Sequence, residues 1–174
     1  MTRSLIIFFL LIAFVAASSA QGLKIGYVNS AKILQELPEA QEAQKKLDAM
    51  GKGWQEELEK MSKELQTKYE DYQKKQGMMN EQAKLAVQQE LVELEQKAYK
   101  YRSDKFGNDG ELAVQTEKLL TPIKDKVLKM IQQIAKDEKL SFVFDRNEQI
   151  MVLLYGDTNF DYTYKVLDRL KRSK

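Results

Sequence analysis

The sequence predicts an α+β protein in which a long antiparallel helical hairpin projects, like a tentacle, from a small β-strand-containing oligomerisation body. Three observations lead there. Between residues 38 and 106 two apolar stripes recur at steps of three and four, the helical period. The two stripes register on each other about a single pivot. Runs with strand character occur only outside that stretch, at 23–28 and 140–155.

On the rising arm the stripe is Met50, Trp54, Leu58, Met61, Leu65, Tyr69 and Tyr72, at steps of 4, 4, 3, 4, 4 and 3. This eleven-residue repeat runs at about 3.67 residues per turn, which predicts a straight or weakly right-handed seam. The falling arm carries Ala83, Val87, Leu91, Leu94, Ala98 and Tyr101. Laid antiparallel, Leu58 meets Tyr101, Met61 meets Ala98, Leu65 meets Leu94, Tyr69 meets Leu91 and Tyr72 meets Val87. The paired numbers sum to 159 or 160 throughout, the shared pivot that a helix pair with a short turn requires. Gly77 suits the left-handed position after a helix end, and Asn80 suits the cap of the next helix.

Composition narrows the chemistry. Of 174 residues, 69 lie in this thin hairpin, so the remaining core is small. Cysteine and histidine are both absent, which removes thiol nucleophiles, disulfides, thiolate metal sites and the commonest general base. The acids lie mainly on helix surfaces rather than converging, so no enzyme and no cofactor is expected. Gly51, Lys52 and Gly53 do not make a phosphate loop, because the G-x-x-x-x-G-K-[ST] pattern is missing and the segment lies mid-helix.

Residues 1–20 read as a secretory signal peptide, with Arg3 as the basic start, Leu5 to Val15 as the apolar run and Ser18, Ser19 and Ala20 as the cleavage site. The run is shorter than the roughly 20 residues a membrane anchor needs. Gln21 then begins an exported chain, and without a cysteine there lipid anchoring is not expected.

Leu23, Ile25 and Tyr27 alternate with Lys24, Gly26 and Val28 as a first strand. Asn29 and Ser30 cap a short helix over 31–36, and Pro38, with Glu39 and Glu42, opens the hairpin. Gly51 and Gly53 interrupt the rising arm at nearly the height where Gly107 to Gly110 interrupt the falling one. Facing breaks of this kind predict a joint at Gly51, Gly53, Gly107 and Gly110, with close packing of small residues as the alternative. Beyond Glu111 a helix restarts at Thr121 and Pro122 and shows a wide apolar face of Ile123, Val127, Met130, Ile131 and Ile134. Leu140 to Phe144 and Gln149 to Tyr155 are two strand-like runs, joined as a hairpin over 145–148, the second buried on both faces. Asp161 caps a last helix with Val166, Leu167 and Leu170 inward. The domains are thus a signal peptide over 1–20, a body over 21–37 and 111–174, and a tentacle over 38–110 with its tip at 77–80. So small a body, with open sheet edges, predicts self-association through Ile25, Tyr27, Val143, Ile150, Val152 and Leu154.

Read in this order, the sequence resembles the Skp/OmpH-like periplasmic chaperone family. The likeness rests on Lys24 to Asn29, on Lys32 to Gln44 at the hairpin root and on the charged, alanine-containing arms. It continues through Phe106 to Leu112, Leu119 to Val127, the strand ending in Phe144 and Asp145, and Asp161 to Leu167. The resemblance implies a periplasmic homotrimer whose three tentacles enclose a cavity. It also implies an ATP-independent holdase that keeps unfolded outer-membrane β-barrel proteins from aggregating and delivers them for outer-membrane assembly.

Candidate client contacts are Met78 and Met79 at the tip, adaptable apolar side chains whose alternative role is to cover the end of the helix pair, and Tyr99, which lies off the seam. Lys74, Lys75 and Lys84 add a small basic cluster. Tyr69, Tyr72, Tyr101 and Trp54 read as packing residues. Charge departs from the family's basic tentacles: residues 38–106 hold 13 Lys or Arg against 14 Asp or Glu, a balance of minus one. Contact with lipopolysaccharide or a membrane surface is therefore expected to be weak at most, and nucleic acid is not an expected partner. The basic tail, Lys165 to Lys174, reads as a solvated helix end. A structural coiled-coil adaptor bridging two envelope components is the alternative function.

Overall fold

The computed structural model describes residues 23–147 and 152–173. The elements run β1 (Ile25–Val28), α1 (Ser30–Glu36), α2 (Pro38–Lys75), a 3-10 turn (Gln76–Met78), α3 (Glu81–Phe106), α4 (Glu111–Asp137), β2 (Phe142–Asp145), a second 3-10 turn (Thr158–Phe160) and α5 (Thr163–Arg172). The expected signal peptide lies outside the described residues.

Local chemistry accounts for the helix starts. The Asn29 side chain accepts from Lys32 N at 2.8 Å, Asn80 from Ala83 N at 2.8 Å, and Asp161 from Thr163 N at 2.8 Å. Pro38 opens α2, where its missing N–H has no helical partner to lose. The 38 residues of α2 make an arm roughly 57 Å long.

The seam between α2 and α3 follows the pivot. Ala83, Val87, Leu91, Leu94, Ala98 and Tyr101 are all partly buried on α3, and Trp54, Leu58, Met61, Leu65 and Tyr72 on α2. Met50 and Tyr69 are exceptions: both are exposed, and beside Tyr69 Lys68 takes the partly covered place and pairs with Glu90 across the hairpin. Gly77 also departs from expectation. It lies in a 3-10 turn with negative φ, because that tighter turn reverses the chain without a left-handed residue.

The core lies at the base. Val28, Ile33, Leu37 and Ala40 pack with Val127 and Ile134 of α4 and with Val166, Leu167 and Leu170 of α5. Burial of Ala43 and Leu47, and a 2.9 Å ion pair between Glu39 and Lys126, carry body packing up the first turns of α2. Helix α4 runs unbroken from Glu111 to Asp137 with Pro122 inside it, so there is no restart at Thr121.

The sheet differs most from expectation. β2 pairs in parallel with β1, Ile25 opposite Phe142 and Val28 opposite Asp145, rather than in a hairpin with the run that follows it. Residues 152–155 form no strand, and Val152, Leu154 and Tyr155 are exposed. Among the described residues the second edge of β2 has no strand partner, and its one pairing is with β1. On its other edge Tyr27 O accepts from Tyr162 N at 2.8 Å. Ile150 lies outside the described residues.

Candidate interaction surface

The far end of the hairpin presents little but side chains. Met78 stands 83% exposed, whereas Met79 is partly buried. Of the basic cluster, Lys75 lies 3.5 Å from Asp71 and Lys84 lies 2.7 Å from Glu81, both on neighbouring turns, while Lys74 is exposed. Such exposed pairs add little stability and leave no strong positive field at the tip. Tyr99 is 76% exposed and far down the arm from Met78. The six expected contacts therefore form no single site.

The expected joint divides into two unlike halves. α2 passes through Gly51 and Gly53 without a break, and a Cβ at either would meet nothing within 4 Å, so close packing does not explain these glycines. Gly107 and Gly110 do break the other arm, between α3 and α4. A Cβ on Gly107 would stand 2.5 Å from Ser103 O, and one on Gly110 2.8 Å from Gly107 N, so the turn between the helices is too tight for side chains. Trp54 closes this level from α2. Its ring meets Phe106 edge to face at 6.3 Å, and the Lys105 ammonium lies 4.9 Å from its centroid. Lys105 also bridges the break to Glu111 at 2.7 Å. Their hydrogen bond holds the Glu111 carboxyl below its ordinary range and raises the Lys105 ammonium above its own.

At the base, Leu23, Ile25, Phe142, Phe144, Leu154, Tyr155 and Phe160 leave apolar area exposed. A cleft of about 490 Å³ is lined by Leu23, Ile25, Phe144, Tyr155 and Phe160 among them. Of the residues expected to join subunits, Ile25, Val152 and Leu154 are on this surface and Val143 is partly buried. Tyr27 is not available to another chain: it is buried, its ring lies against Gly156, and its hydroxyl donates to Gly156 O at 3.3 Å.

Leu85 and Val92 of α3 are exposed apolar residues that the sequence reading passed over. The signal was present: with Tyr99 they stand seven residues apart, off the seam. Among the described residues no group of three or more acidic side chains is placed to hold a metal ion, and no helix is long and apolar enough to cross a membrane.

Comparison with known proteins agrees with this architecture. The profile of the family described as outer membrane protein (OmpH-like) matches residues 24–170. The chain is 28% identical over 162 residues to the chaperone protein Skp of Yersinia enterocolitica, a match spanning 92% of this chain and 93% of that one. Its fold is similar, at a TM-score of 0.70, to the crystal structure of a protein assigned as an outer membrane chaperone (OmpH-like) from Caulobacter crescentus CB15. That match covers 86% of this chain and 85% of the other at 16% identity, a likeness of fold alone. With the family profile matched from the first strand to the last helix, the chain belongs to the OmpH-like outer-membrane protein family.

Proposed function

We propose that this protein is an ATP-independent periplasmic holdase, which binds unfolded outer-membrane β-barrel proteins between its tentacles and keeps them soluble for outer-membrane assembly. The observation that carries this reading is the hairpin itself. It is two helices thick, it buries one seam, and it keeps apolar side chains such as Met78, Leu85 and Tyr99 in contact with solvent. An unfolded barrel protein exposes many small apolar faces, and binding them stabilises the unfolded state by mass action. Weak contacts spread over several arms suit this task, since effective concentration in a shared cavity raises affinity by about a hundredfold or more.

The reading includes a homotrimer joined through the apolar base, export by the signal peptide at 1–20, and arms that bend at the level of Trp54 and Gly107 to suit clients of different size. It includes no catalysis. With arms balanced at minus one, capture rests on apolar contact rather than on charge, and lipopolysaccharide or membrane contact is weak.

The test is dilution of a urea-unfolded outer-membrane β-barrel protein into nucleotide-free buffer, followed by light scattering. Suppression near one trimer per client is expected. Unchanged scattering with the protein still folded and oligomeric would leave the adaptor, with one folded partner at fixed stoichiometry, as the better account.

A further inference from the structure

Apart from Ala86 and Phe106, the apolar residues of α3 have two destinations. Six lie on the seam, but Leu85, Val92 and Tyr99 point nearly the opposite way and are 65%, 50% and 76% exposed. Seven residues advance a helix by just under two turns, so the three form one slightly slanting stripe roughly 21 Å long. Gln88, Gln96 and Ser103 lie beside it, with Gln89 beyond one border and Glu95 beyond the other. Ten of the 26 residues of α3 are charged. Yet between Leu85 and Ser103 a sector of about 100° centred on the stripe holds no charge. On one side the stripe opens into a cleft of about 640 Å³ between the arms, lined by Tyr69, Tyr72, Gln88 and Val92, with Glu95 at its rim. Gln88 donates to the Tyr72 hydroxyl at 2.8 Å across that cleft.

We propose that this stripe is where α3 takes an extended, uncharged, apolar-rich segment of an unfolded polypeptide, an inference that rests on the holdase reading and names its contact face. Charge is the first argument. In a chain where 31% of residues are charged, a neutral sector matches a neutral partner, which can dry the sector itself while Glu95 at its border stays in water. The flanking residues are the second. A glutamine amide both donates and accepts, so Gln89 and Gln96 can satisfy the backbone of an extended chain whatever its side chains are. The cleft beside Val92 adds the exposed Tyr69 ring to the same surface.

Other occupants fit less well. A helix of a second copy would need apolar residues at two positions per heptad, and here Gln88 and Gln89 stand where the second would be. Antiparallel self-pairing about Val92 would also set Lys84 against Lys100. A membrane surface would call for a basic excess, and α3 carries five basic and five acidic residues.

The experiment compares the unaltered full chain with two triple variants in the same dilution assay. One carries Leu85→Gln, Val92→Gln and Tyr99→Gln, the other Glu93→Gln, Lys97→Gln and Lys100→Gln. Glutamine keeps helix propensity, and the replaced stripe side chains are exposed. The stripe variant is expected to need about tenfold more protein for half-suppression of aggregation, and the charge variant to stay within about twofold of the unaltered chain. A stripe variant as effective as the unaltered chain, or a charge variant that loses as much, overturns the stripe and leaves the holdase reading standing. No suppression by the unaltered chain removes both. A photo-crosslinking residue gives an answer independent of variant stability. At position 92 it is expected to capture the unfolded client and at position 97 not, and the reverse pattern overturns the proposal.

Discussion

Lys139 holds the left-handed position that ends α4, with φ of 55°. Leu140 N bonds to Ala135 O at 2.8 Å and Lys139 N to Lys136 O at 3.2 Å, the pair of contacts of a Schellman turn. Glycine is the residue such a turn favours, and a Cβ there costs about 1 kcal/mol. Lys139→Gly is therefore expected to raise stability by about 0.5–1 kcal/mol, read as a higher urea midpoint at unchanged slope. The neighbouring Glu138 ties three elements together. Its carboxylate pairs with Lys165 of α5 and lies 3.6 Å from Lys24, before β1. The hydrogen bond from Lys165, with the charges of Lys165 and Lys24, lowers its pKa from the ordinary 4.5. A carboxyl whose folded pKa is depressed contributes stability that is present above the unfolded value and lost as pH falls through the folded one. Stability should thus decline on acidification below about pH 4.5, and Glu138→Gln should flatten that part of the curve while leaving the neutral-to-basic part unchanged in slope. An acid limb identical in the variant would mean that other carboxylates set it.

Between elements, the glycines at the level of Trp54 lead to opposite expectations. Gly107→Ala forces its Cβ against Ser103 O, and a loss of about 1–2 kcal/mol should follow. Gly51→Ala and Gly53→Ala add a methyl group in open space within a continuous helix, and each should gain about 0.5–1 kcal/mol. If arms bend here, the double alanine variant should also narrow the spread of arm angles seen by small-angle scattering; an unchanged spread would remove bending from the account. The hairpin itself was legible because a two-helix seam depends on residues close to a fixed period, and the falling-arm stripe lies where the pivot puts it. Tyr69 was misplaced for the same reason that Lys68 was overlooked. Periodicity finds the direction of a face, while a long lysine stem can cover apolar surface with its charge still in water.

At the scale of the whole molecule, the base leaves Leu23, Ile25, Phe142, Leu154 and Tyr155 exposed around a two-stranded sheet, more apolar surface than scattered single residues explain. Leu154 is 81% exposed in the single chain. If the proposed trimer joins through this base, Phe142→Asp with Leu154→Asp should shift the protein from trimer to monomer in sedimentation velocity, with the helical signal of the hairpin retained. A trimer that survives both changes would place the subunit contact elsewhere. Of the six residues expected to join subunits, Ile25, Val152 and Leu154 are exposed in the single chain and Val143 is partly buried. Ile25 and Leu154 came from strand-like sequence, but Tyr27 is taken up within its own chain by Gly156.

The hairpin, its turn near Asn80, the caps at Asn29 and Asn80, and the inward faces of α4 and α5 could all be read from residue order. All of these follow from short-range spacing and from side chains that reach their own backbone. Only the tertiary structure decided that β2 pairs in parallel with β1, that Gly51 and Gly53 leave α2 unbroken, and that Leu85, Val92 and Tyr99 stay uncovered. Strand partners and burial depend on residues distant along the chain, and no local pattern says which of two suitable neighbours arrives.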